Sequence, residues 1–103
     1  MSNDHSLPLP LVVLIETKEG CANQQIKAFK ELQPLVLAEE GCLQYELTQD
    51  VNNENQFVLI EKWATQADLD AHSIAPHMID ADKKSPSFRA KSATVFRLKS
   101  VFI

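Results

Sequence analysis

Five side chains between positions 45 and 77 of this 103-residue chain carry most of its capacity for chemistry: Tyr45, Glu61, Trp63, His72 and His77. Glu61 alternates with Phe57, Leu59 and Trp63 along a period-two segment. A carboxylate on a strand face with large apolar side chains is desolvated, which raises its proton affinity and makes it a candidate base. The alternatives for Glu61 are a place at a sheet edge or a partner such as Arg97. His72 follows Leu69 by three residues and so falls on the core-facing stripe of a helix, and His77 follows Pro76 at the next turn. Imidazole titrates near neutrality and suits proton transfer; a histidine on an apolar face serves equally as a satisfied core residue. The two rings are five residues apart across a proline, unlike the i, i+4 spacing of a helical ligand pair, so no metal is expected. Tyr45 and Trp63, with Phe57, either stack on a flat aromatic ligand or fill the core. Gly20 and Gly41 are the only glycines, so no phosphate-cradling loop is present, and the sequence supports neither flavin nor nicotinamide. No cofactor is expected.

The elements that must position these groups follow from periodicity. Residues 1–6 are polar and expected to be disordered, leaving 7–103 as one domain. Leu9 to Lys18 reads as a strand entered through Pro8 and Pro10. Ala22 to Glu40 reads as a helix with Ile26, Phe29, Leu32 and Val36 on its apolar face, a kink at Pro34 and a stop at Gly41. Cys42 to Asp50 alternates with Leu43, Tyr45 and Leu47 on one side; a polar loop over 51–55 leads to a second strand over Gln56 to Ala64, giving a hairpin. Thr65 caps a helix to His72 or Ser73, Pro76 starts another to about Lys83, residues 84–88 form a loop, and Lys91 to Ile103 reads as a last strand. The order strand, helix, strand, strand, helix, strand predicts a ferredoxin-like α+β fold: an antiparallel sheet with helices on one face.

Two helices cover one sheet face only. Yet Leu11, Val13 and Ile15 alternate with Val12 and Leu14, and Phe57 and Leu59 with Val58 and Ile60, so both faces are apolar. The second face therefore calls for another chain, and a homodimer packed sheet to sheet is predicted.

Charge excludes other classes. Ten Lys and Arg against fourteen Asp and Glu give a net charge of −4, which argues against nucleic acid. Six of the cations (Lys83, Lys84, Arg89, Lys91, Arg97 and Lys99) nonetheless fall in the last 21 residues, as a solvated face or a site for an anionic substrate. Cys21 and Cys42 form no C-x-x-C pair and read as free thiols. No apolar run is long enough to span a membrane and the N-terminus lacks a basic start, so a cytoplasmic protein is expected.

Three blocks, Gly41-Cys42-Leu43-Gln44-Tyr45-Glu46-Leu47, Phe57-Val58-Leu59-Ile60-Glu61-Lys62-Trp63 and Ala71-His72-Ser73-Ile74-Ala75-Pro76-His77, closely resemble the antibiotic biosynthesis monooxygenase family in order and spacing. The resemblance spans Leu9 to Phe102. It implies a dimeric α+β barrel with a pocket between the sheet and the helices of one subunit. It further implies small quinol or anthrone monooxygenases that use O2 without metal or flavin, by deprotonating a phenolic substrate whose anion reduces oxygen directly. Glu61, His72 and His77 fall on the family's recurrent polar positions and Tyr45 and Trp63 on aromatic ones. Haem-degrading relatives expect an Asn on the first strand, where this chain has Val13 and Leu14. The segment from Met78 to Ser85 is more polar than in most relatives, which leaves that pocket wall short or open.

The leading expectation is thus a cofactor-independent monooxygenase for a small quinol-like aromatic, with His72 or Glu61 as base, His77 beside them, and Tyr45, Phe57 and Trp63 shaping the pocket. The alternatives are an isomerase or binding protein for a small phosphorylated metabolite, and a non-catalytic dimeric module.

Overall fold

The structure, a computed structural model, describes residues 7–102; the expectation for residues 1–6 lies outside them. Strand β1 (Leu9–Glu16), helix α1 (Ala22–Leu37), strands β2 (Cys42–Asp50) and β3 (Asn53–Trp63), helices α2 (Gln66–Ser73) and α3 (Pro76–Lys84), a 3-10 turn at Ser85–Ser87 and strand β4 (Thr94–Arg97) follow in order. The strands lie as β2-β3-β1-β4, every neighbouring pair antiparallel, so the fold is ferredoxin-like α+β as expected. Among the described residues no helix is long and apolar enough to cross a membrane.

Register sorts the side chains. Val13 pairs with Leu59 and Leu11 with Glu61, so Leu11, Val13 and Ile15 join Phe57, Leu59, Glu61 and Trp63 on the helix-covered face, where all are buried. Val12 pairs with Ile60 and Leu14 with Val58 on the opposite face, half-buried, and Phe96 stands exposed beside Val12.

Several boundaries depart from expectation, each for a local reason. The stripe of α1 is Ala22, Gln25 and Val36 with Phe29 and Leu32, whereas Ile26 is exposed; counting from Gln25 rather than Ile26 keeps the three- and four-residue steps. Helix α1 stops at Leu37 rather than Glu40, because the Ala38 and Glu39 amides close on the Pro34 and Val36 carbonyls and Gly41 turns the chain at φ +79°. In β2 a bulge between Cys42 and Gln44 resets the alternation, so Cys42 packs with Tyr45 and Leu47 at the core and Leu43 is exposed. The hairpin turn is only Val51–Asn52, since Asn53 already pairs with Asp50. Strand β1 ends at Glu16. Strand β4 is four residues rather than thirteen: pairing ends after the Leu98 amide's bond to the Pro10 carbonyl, near where β1 begins, and residues 91–93 lie off the ladder although β1 continues to Glu16.

The helix breaks fall where the chain dictates. Thr65 caps α2, its hydroxyl accepting from the Asp68 amide at 3.1 Å. Ala75 is extended at ψ 144°, as a residue before proline prefers, and Pro76 opens α3.

Gly41 and Gly20 share nearly the same positive φ but differ in surroundings. A Cβ on Gly41 would lie 2.0 Å from Asp68 Oδ2 and 2.6 Å from its Cβ, while one on Gly20 meets nothing within 4 Å. Gly20→Ala is expected to cost only the backbone penalty, about 1 kcal/mol. Gly41→Ala should cost at least about 2 kcal/mol because the first turn of α2 must also shift. Urea unfolding of both variants checks this; equal losses would mean that Asp68 moves aside freely.

Candidate functional site

The turn that ends α1 puts Glu39 beneath the two short helices. Its carboxylate meets His72 Nδ1 of α2 at 3.0 Å and His77 Nε2 of α3 at 2.6 Å. A carboxylate accepts both bonds, so each neutral ring carries its proton on the nitrogen facing Glu39. The free acceptors are then His72 Nε2 and His77 Nδ1. Spacing did exclude a shared helix face for the two histidines; what joins them is a residue more than thirty positions upstream.

The sequence-predicted residues divide into two layers. Tyr45 and His77 line a cavity of about 250 Å³ between α1, α3 and the sheet. Ile15, Leu59 and Tyr45 form its floor, Phe29 and Leu32 one wall, and Phe88 and Arg89 its far end. Behind it lies the second layer. The His72 ring sits 4.5 Å from Trp63, and the Trp63 indole N–H donates to Glu61 Oε1 at 2.9 Å. Tyr45 joins the layers, stacked on Phe29 at 5.3 Å and edge-on to His72 at 5.8 Å. Phe57 is fully buried below another part of α1 and does not reach this cavity. Glu61 is 7% exposed, bonded to Trp63 rather than to Arg97, whose guanidinium instead donates to Gln66. Burial pushes the Glu61 carboxyl above its ordinary value against the opposing pull of the Trp63 bond and His72. Burial likewise pushes the Tyr45 phenol up, and Glu61 adds to it.

Three polar groups of the site were not singled out by type and spacing. Glu39 gave no signal, because its inward turn depends on where α1 stops. Gln25 did leave one, as the lone amide on the stripe with Phe29, Leu32 and Val36. Arg89 appeared only as one of six cations, and the structure scatters that cluster. Lys84 pairs with Asp80, Lys91 lies 3.6 Å from Glu16, and Arg89 turns inward, its Nε donating to Gln25 Oε1 at 3.0 Å. His72 and His77 are each bonded to Glu39, and among the described residues no cluster of His, Cys, Asp or Glu is placed to hold a metal ion.

A ferredoxin-like sheet with a small, half-open cavity under its helices, lined by Gln25, Tyr45, His77 and Arg89, defines the α+β domain. The chain belongs to the antibiotic biosynthesis monooxygenase family, which it matches over residues 8–84. An uncharacterised protein of Synechocystis, sll1783, is 34% identical over 58 residues, 56% of this chain and 40% of that protein. YcnE of Bacillus subtilis is 45% identical over 40 residues, 39% of this chain and 42% of that protein. The matched stretches thus span less than half the length of these curated relatives. The crystal structure of PA3566 from Pseudomonas aeruginosa superposes with a TM-score of 0.86 at 27% identity, over 96% of this chain and 99% of that one.

The raised Glu61 proton affinity has a stability consequence. An unfolded glutamate titrates near 4.5, and the folded chain holds the Glu61 proton to higher pH. Protonated Glu61 therefore favours the fold below that value, and the advantage is lost as pH rises through the folded value. The stability of the parent protein relative to Glu61→Gln is expected to fall as pH rises from below 4.5 and then to level off. Urea midpoints of the two across pH measure it, and a difference independent of pH would contradict the burial effect.

Proposed function

We propose that this cavity oxidises a small quinol- or anthrone-like aromatic with O2, without metal or flavin. The observation that carries the reading is His77 at the cavity with its ring held by Glu39, which leaves Nδ1 as the acceptor. A base held in one tautomer by a carboxylate is the arrangement that takes a proton from carbon or phenol efficiently. Nδ1 takes the substrate proton, and the Glu39 carboxylate faces the charge that appears on the ring. The electron-rich anion passes an electron to O2, and the resulting pair combines into a carbon–oxygen bond as a peroxide. The peroxide takes back that proton, the same carbon then loses its remaining hydrogen as a proton, and that C–H electron pair forms the carbonyl as the O–O bond breaks, so the distal oxygen leaves as water. All four electrons come from the substrate, so no outside reductant is required. The apolar floor residues Ile15 and Leu59, with Phe29 in the wall, suit a flat ring and limit water around the anion. His72 and Glu61 form the layer behind, where they set the surroundings of Tyr45 and Glu39.

Oxygen uptake on a panel of hydroquinones and anthrones, with chelator present, tests this. The parent protein should show saturable uptake above autoxidation, and His77→Ala should lose ~100-fold or more in kcat. Glu39→Gln keeps the size but lowers kcat at nearly constant KM, because Glu39 acts through the ring and not on the substrate. Full activity in His77→Ala would move the base to His72 or Glu61, to be tested by His72→Ala and Glu61→Gln.

The second sheet face is proposed to close on another copy of the chain. Val12, Leu14, Val58, Ile60 and Phe96 form a contiguous apolar surface that no helix of the described chain covers. Light scattering should give twice the 11.6 kDa chain mass at micromolar concentration, and Ile60→Glu should halve it. An 11.6 kDa species from the parent protein would refute the dimer.

A further inference from the structure

Besides His77, the cavity is lined by three side chains with hydrogen-bond donors, Gln25, Tyr45 and Arg89. Tyr45 and Gln25 are each 3% exposed, and both line the cavity. The Tyr45 hydroxyl has no hydrogen-bond partner among the described residues. Gln25 spends its Oε1 accepting from Arg89 Nε, which leaves its amide Nε2 without an acceptor among the described residues. Arg89 completes the set. Its side chain is bonded to Gln25 and lines the cavity, and among the described residues it forms no ion pair; Tyr45 and, less, Asp82 act on it electrostatically without a bond. The backbone around Arg89 is pinned, with the Ala90 amide on the Glu16 carbonyl and the Lys18 amide on the Phe88 carbonyl, and the bond to Gln25 holds the side chain inward.

Donors without acceptors in a desolvated space are costly until an acceptor arrives. One planar anion with two oxygens satisfies all three: a fork from the guanidinium, one bond from the Gln25 amide and one from the phenol. The local charge limits the anion to a single negative unit, since Lys84 is already paired with Asp80 at 2.9 Å, Arg89 is the other lining cation, and the Glu31 carboxylate also lines the cavity. A dianionic phosphate would find no second cation. The flanking surfaces are aromatic, with Tyr45 and Phe29 stacked and Phe88 across from them, and about 250 Å³ accommodates one small ring system.

We propose that the ligand of this cavity is a small aromatic carboxylic acid, its carboxylate held by Arg89, Gln25 and the Tyr45 hydroxyl and its ring lying toward His77. This rests on the same cavity as the monooxygenase reading and narrows its substrates to quinols that carry an acid group. Burial of the Arg89 guanidinium, which lowers its proton affinity, is the cost that the carboxylate offsets.

Calorimetric titration at pH 7 with 2,5-dihydroxybenzoate, its methyl ester and ribose 5-phosphate distinguishes the possibilities. The acid should bind the parent protein at least ~10-fold more tightly than the ester, and ribose 5-phosphate should bind more weakly than the acid. Arg89→Gln should bind acid and ester equally. Tyr45→Phe, which removes one hydroxyl from a stacked ring, provides a milder variant: it should lose several-fold for the acid and nothing for the ester. Equal binding of acid and ester by the parent protein, no binding of either, an acid preference that survives both variants, or tighter binding of ribose 5-phosphate would each overturn the proposal. Acid preference without oxygen uptake would leave this inference standing and end the monooxygenase reading. Uptake on neutral hydroquinones with no acid preference would do the reverse.

Discussion

One carboxylate sets the geometry on which the helical side of the molecule depends. Glu39 receives imidazoles from two different helices, at 3.0 and 2.6 Å. Helices of eight and nine residues are too short to persist by themselves in water, so α2 and α3 owe their order to what they touch. Three sequence features converge on that contact. Helix α1 stops early enough to turn Glu39 inward, Gly41 accepts the left-handed backbone that the turn needs, and Pro76 breaks the path between the two histidines. Charge-assisted bonds in a part-buried position then tie the loop to both helices.

The sheet divides its labour by parity. Along β1 and β3 the odd-numbered residues build the core and the floor of the cavity, and the even-numbered ones build an apolar surface on the far side. The same two strands thus commit to a site and to a second surface. A one-residue slip would exchange the two sets, which is why the bulge in β2 matters: it restores Tyr45 to the core side although Leu43 has left it.

Much of this was legible from periodicity. Alternation in β3 placed Glu61 among apolar side chains, and the spacing of Leu69 to His72 placed that ring inward; both are buried. Thr65 and Pro76 marked helix starts because capping and a fixed φ are local effects. What stayed hidden was set by non-local geometry. Nothing near Glu39 announces that two rings will arrive from downstream. The stripe of α1 was misjudged by one position because Ile26 is the more hydrophobic neighbour of Gln25, yet the amide is the one turned inward. The composition of Lys91 to Ile103 suits a long strand, but it pairs with β1 only from Thr94 to Arg97.

The groups that face or hold the cavity, Gln25, Glu39, Tyr45, His77 and Arg89, come from five segments that together span most of the chain, and hardly any two are neighbours in sequence. Such a constellation has no precursor in any fragment: each member is delivered by a different long-range contact, and the last to arrive completes the set. High contact order of this kind slows folding, because loop closure precedes the reward. It also makes the site a reporter of the whole tertiary structure, so that an occupied cavity certifies a native chain in a way that helix content alone does not.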